Sequence, residues 1–184
     1  MKMPWISILC IALSIGNYIR MSCSHESGFS AAVDAGALYP PAVRQGQWWR
    51  LFSAGFVHFS LWHLLMNCYA MYSFGRGLER ILPWPWYLIL VVASLVSANF
   101  FAMTMGNENS ISGGMSGILY GLMGFYYAVF DVRTRGLAGI LTDRSMFATL
   151  GINLVMNFMP GICWQAHLGG FSAGIVCAFL FLYL

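Results

Sequence analysis

Charge is what this chain has least of. Lys, Arg, Asp and Glu make up 8% of its 184 residues against 59% hydrophobic, and the mean hydropathy is +0.70. A soluble surface is typically about 25–35% charged, so a water-facing globular domain is excluded and the chain reads as an integral membrane protein. The polar/apolar alternation of outer-membrane barrel strands is missing as well, and long apolar runs broken by short polar stretches predict helices instead. The basic residues are scattered, so the net charge of +3 makes no nucleic-acid patch. None of the five cysteines forms a C-x-x-C pair, which removes the usual zinc signature. Neither a metal nor a cofactor is expected. Cys23 and Cys163, the two predicted to face the outer side, leave one disulfide pairing open.

Read for runs of about 20 apolar residues, the chain predicts one compact all-α domain of six membrane spans, at about 4–20, 58–76, 84–105, 114–131, 145–160 and 166–184. Trp5, Trp62, Trp84, Trp86 and Trp164 fall near the proposed ends, in the headgroup zone that suits amphipathic rings. Lys2 and the apolar run after it resemble a signal peptide, but no small-residue cleavage site follows, so the first span is expected to be retained. The connection 21–57 is rich in Gly, Ala, Pro and aromatics. It is expected to fold onto the membrane, with Arg50 snorkelling to lipid phosphates. Six spans put both termini on one side. With the termini cytoplasmic, Lys2, Arg76, Arg80, Arg133, Arg135 and Arg144 lie inside and Arg20, Arg44 and Arg50 outside, which satisfies the positive-inside rule.

Three polar constellations interrupt the apolar spans. The first is Gly113-Gly114-Met115-Ser116-Gly117. Its glycines admit close backbone approach and leave amide N–H groups aimed at a developing negative charge, as a nucleophilic serine requires. It also reads as a packing stripe, Gly113, Gly117 and Gly121 at spacing four, with Ser116 capping the helix. The second is His63 and Asn67, four apart and therefore on one helix face, with His58 turned away. The third is His167, beside a second stripe of Ala166, Gly170 and Gly174. Matching stripes let the fourth and sixth helices touch backbone to backbone, at a depth where His167 could serve Ser116 as base. At the other end of the second span, Glu79 is expected to pair with a neighbouring arginine.

Taken together, Trp49-Arg50, His58…His63…Asn67, Gly114-Met115-Ser116-Gly117 with Tyr120, and Ala166-His167 followed by Gly170 and Gly174 resemble the rhomboid family of intramembrane serine proteases in its bacterial-type, six-helix form. The likeness runs from about Gly46 to Gly174. It implies that Ser116 is the nucleophile and His167 its base. His63, Asn67 and the Ser116 amide would form an oxyanion hole, Gly114 and Gly117 would flank the serine, and Tyr120 would pack on the His167 ring. It further implies transmembrane protein substrates, no cofactor, and a bacterial inner (plasma) membrane location with cytoplasmic termini. One feature has independent support, because Glu26, Asp34, Glu79, Glu108, Asp131 and Asp143 all fall in loops or at span ends. A Ser-His dyad therefore replaces a triad with a buried acid, and packing by Tyr120 is left to orient the ring.

Two other functions fit part of the pattern. A silent relative that binds transmembrane clients would not need both Ser116 and His167. A transporter with a histidine proton relay would need a polar path across both leaflets, whereas His58, His63 and His167 all lie toward the outer side. The orientation itself is testable. In an otherwise cysteine-free variant, Asn107→Cys should react with an impermeant maleimide in intact cells and Thr134→Cys should not; the reverse pattern would invert the topology.

Overall fold

A computed structural model describes residues 3–26, 28–132, 151, 155, 157 and 161–184. The expected fifth span, 145–160, falls outside them apart from 151, 155 and 157, as do Arg133, Arg135 and Arg144. Its elements in chain order are α1 (Trp5–Ser22), α2 (Gly28–Asp34), α3 (Pro40–Arg44), α4 (Arg50–Ser53), α5 (Leu61–Ala70), α6 (Arg76–Ile81), α7 (Trp84–Met105), α8 (Ser116–Tyr126) and α9 (Trp164–Tyr183). Among the described residues every regular element is helical, apart from one isolated bridge. α1, α7 and α9 are each long and apolar enough to cross a membrane. Trp62, Tyr69 and Phe179 are among many large apolar side chains left exposed on the helices, a surface suited to lipid. The protein is a polytopic integral membrane protein.

At 22 residues, α7 is about 33 Å long, enough for the whole hydrocarbon core. It starts after Pro83, with Pro85 in the first turn where a missing N–H costs nothing. Both α8 and α9 lie against it, and Ser97 Oγ donates to the Gly169 carbonyl at 2.9 Å. The α8–α9 seam is made of glycine. A Cβ on Gly170 would collide with the Gly117 carbonyl, and one on Gly174 with the Gly121 carbonyl. On its α7 side Gly117 faces Ala98, and Gly121 faces Ser94. Gly113 departs from the expected stripe. It precedes the helix and lies against the Ala54 and Val57 carbonyls.

α5 begins at Leu61 because Ser60, in extended conformation, caps it, its Oγ accepting from the His63 N–H at 3.1 Å. It continues into α6 through a π turn at Met71–Gly75. Glu79 in α6 pairs with no arginine among the described residues. It is buried and accepts from Ile6 N–H at 2.8 Å, Ser7 N–H at 2.9 Å and Ser7 Oγ at 2.7 Å. The first turn of α1 has N–H groups without intrahelical partners and no cap of its own, and a carboxylate there also meets the positive end of the helix dipole.

The connection 23–60, where described, folds as a cap over the end of the helices that carries the glycine loop. Arg50 does not snorkel. Only 5% exposed, it donates to the Val33 carbonyl at 2.7 Å, the Ala37 carbonyl at 2.9 Å and Gln47 Oε1 at 2.7 Å. A guanidinium's five donors can serve several acceptors at once, here the end of α2 and the turn that follows it. The cap grips the glycine loop through paired backbone bonds between Leu38 and Ser112 and from the Gly114 N–H to the Ala54 carbonyl at 2.9 Å.

Glu79 is therefore a stability residue. Hydrogen bonds to charged groups contribute about 1.5–3 kcal/mol each, so Glu79→Ala should cost about 3 kcal/mol or more. Thermal unfolding in detergent should show a lowered midpoint for Glu79→Ala and a smaller drop for Glu79→Gln. An unchanged midpoint would remove Glu79 from the support of α1.

Candidate active site

Ser116 is the first residue of α8 and does not cap it: Met115 occupies the cap position with no side-chain bond. The Met115 N–H instead reaches His58 Nε2 at 3.5 Å. The Ser116 hydroxyl is thus left to meet His167 Nε2, at 2.9 Å across the seam. His167 lies in the first turn of α9 and is 8% exposed. Its ring stacks on Tyr120, with centroids 4.0 Å apart and planes 12° from parallel. Tyr120 stands one turn after Ser116, so a single helix supplies both the hydroxyl and the ring platform. His167 Nδ1 meets Asn157 Oδ1.

His63 and Asn67 approach from α5. The Asn67 amide donates to the His63 carbonyl at 2.9 Å, while its Oδ1 is buried with no partner among the described residues. Gly114 has φ +128°, and a Cβ there would come within 2.8 Å of the His63 ring, so glycine is what lets the loop pass this histidine. His58 is not turned away. It precedes the helix rather than belonging to it, is fully buried, and lies 4.8 Å from the His63 ring, centroid to centroid.

Ser116, His167, His63, Asn67 and Tyr120 line one cavity of about 930 Å³. As the opening residue of α8, Ser116 has an N–H with no intrahelical acceptor, at the end of the helix that favours negative charge. A hydroxyl, an imidazole and a free N–H in one cavity are groups that acyl-transfer chemistry can use. Cys163 also lines the cavity. Both it and Cys23 are free thiols, so the open disulfide pairing is not made.

Asn157 was not anticipated as a site residue. It precedes His167 by ten positions with Pro160-Gly161 between them, so no helical spacing links the two. The available signal was an amide side chain close to the end of a proposed span.

The family model for the Rhomboid domain matches residues 45–184. The chain belongs to the rhomboid family. Among its relatives, YdcA of Bacillus subtilis is 29% identical over 143 residues, covering 77% of this chain and 71% of that one. Rhomboid-like protease 1 of Toxoplasma gondii is 30% identical over 153 residues, with 81% and 52% covered. Rhomboid protease GlpG of Pectobacterium atrosepticum is 30% identical over 146 residues, with 77% and 51% covered. This rhomboid-family chain thus spans about half the length of the latter two.

Gly114 offers a test of the loop geometry. Backbone conformations that only glycine adopts freely cost other residues about 1–3 kcal/mol, and here the new methyl also meets the His63 ring. Gly114→Ala should therefore lower the melting midpoint and shift the His63 ring resonances in NMR spectra. Unchanged resonances and stability would show the loop to be more permissive than this geometry implies.

Proposed function

We propose that this rhomboid-family protein is an intramembrane serine endopeptidase that cleaves transmembrane segments of other membrane proteins with a Ser116–His167 dyad. The observation that carries the reading is the 2.9 Å contact between Ser116 Oγ and His167 Nε2 in a cavity that also holds His63 and Asn67. The names of the relatives, rhomboid proteases among them, point the same way. The proposed setting is a bacterial inner membrane with both termini cytoplasmic, the cavity opening to the outer side so that water can enter.

Ser116 Oγ attacks the scissile carbonyl carbon as its proton passes to His167 Nε2. The carbonyl electron pair moves onto oxygen, where the Ser116 N–H, the Asn67 amide and a His63 ring N–H donate to it. Collapse of this intermediate breaks the C–N bond, and His167 returns its proton to the departing amine. Water, deprotonated by the same ring, then releases the acyl group and restores the hydroxyl. A substrate helix must unwind locally to present its carbonyl, because helical peptide groups are tied up in their own hydrogen bonds. With no carboxylate among the described residues that line the cavity, the membrane interior is spared a charge costing at least about 2.5–3.5 kcal/mol.

Ser116→Ala and His167→Ala should each abolish cleavage of a transmembrane substrate while the protein stays folded; in a soluble serine protease either loss costs roughly 10⁶ in turnover. Asn67→Ala should lower kcat by about 10²–10³ with little change in affinity. Near-normal turnover in either dyad variant would remove the dyad. An unstable Asn67→Ala protein with normal turnover per folded molecule would reduce Asn67 to a structural role.

A further inference from the structure

We propose that Asn157 is a positioning residue that holds His167 in the tautomer able to accept the Ser116 proton. This rests on the dyad reading above and goes beyond it, because packing against Tyr120 cannot choose between ring tautomers. For Nε2 to accept from Ser116, the ring proton must sit on Nδ1, and a proton there needs an acceptor in a site this buried. Asn157 Oδ1 is that acceptor. The same side chain is hydrogen-bonded to the Tyr120 hydroxyl. An amide that gives its NH₂ to Tyr120 turns its oxygen to His167, so the tyrosine selects which way round the amide lies. Tyr120 in turn stacks on the imidazole. Asn157, Tyr120 and His167 thus form a closed set of three contacts in which each side chain is held by the other two.

No described carboxylate lines the cavity that holds the ring. Glu79 serves the start of α1 and Glu108 pairs with Arg44 at 2.5 Å. A neutral amide does the orienting work of the acid in a soluble triad, where its part is to fix the tautomer and ring direction. It does so without placing a second charge in the cavity. A merely structural Asn157 would tie its segment to α9 and leave the proton position to chance.

The test uses the full chain in detergent with a transmembrane substrate, and a fluorophosphonate as a probe of serine reactivity. Asn157→Leu removes the acceptor at similar volume. It should lower both kcat and the labelling rate by about 10–10² while KM and the melting midpoint hold, short of the loss of about 10⁴ that a wrong-tautomer substitution causes in a soluble serine protease. Asn157→Asp, which keeps an oxygen at the same reach, should restore most of the rate. Should Asn157→Leu not fold, Asn157→Ser, whose hydroxyl stops short of the ring, is read the same way. The inference is overturned by a kcat within twofold of the parent for the acceptor-free variant. It is also overturned by a loss that follows KM or the folded fraction, or that Asn157→Asp does not restore. Ser116→Ala run alongside separates the two levels. Residual cleavage there would defeat the dyad itself, whereas an inactive Ser116→Ala beside an unaffected Asn157→Leu would defeat only the role of Asn157.

Discussion

Backbone contact between α8 and α9 is the constraint from which the rest of the site follows. Where Gly170 meets the Gly117 carbonyl and Gly174 meets the Gly121 carbonyl, there is no room for a side chain on α9, while Gly117 and Gly121 are closed in by Ala98 and Ser94 of α7. Helices held this closely bring the first turns of both within side-chain reach. Ser116 then needs only its own short hydroxymethyl to reach His167 Nε2 at 2.9 Å. In lipid, where no hydrophobic force draws helices together, close packing of small residues is a main source of association. The same feature therefore stabilises the pair and sets the distance over which a proton would move.

The seam alone would leave the glycine loop loose. The folded cap provides the second restraint, pairing Leu38 with Ser112 and Ala54 with Gly114 immediately before α8. The buried Arg50 holds the cap together through carbonyls of residues 33 and 37. On the far side α5 is fixed by its own Ser60 cap, which places His63 in the first turn facing the loop. Three elements thus converge on Gly114 and Ser116, held by backbone contacts and by the Arg50 and Ser60 side chains that tie down the cap and α5. Such preorganisation is what an oxyanion site needs, because donors that must move into place lose part of their effect.

Much of this was legible in the sequence where residues repeat at helical spacing. The stripes 117/121 and 166/170/174, the shared face of His63 and Asn67, and the placement of Tyr120 one turn beyond Ser116 are all periodic signals. What was not legible depends on contacts between remote segments. Glu79 lies 72 positions from Ser7, and nothing near it announces a partner at the start of α1. Arg50 looks amphipathic beside Trp48 and Trp49, yet the carbonyls it serves, Val33 in the last turn of α2 and Ala37 just beyond it, lie at no helical spacing from it. Gly113 continues the spacing of the stripe by number but stands before the helix begins. Asn157 is separated from His167 by a Pro-Gly break that erases any spacing. Periodicity reports faces of helices; it does not report which loop carbonyl or helix end requires a donor or an acceptor.

The most direct test of the central claim is the structure of the covalent adduct formed with a small fluorophosphonate, whose tetrahedral phosphorus mimics the intermediate. The account predicts a single bond to Ser116 Oγ, with the phosphonyl oxygen about 2.7–3.1 Å from the Ser116 N–H nitrogen, the Asn67 amide nitrogen and His63 Nε2. An adduct on another residue, or a Ser116 adduct whose oxygen turns away from all three donors, would contradict it.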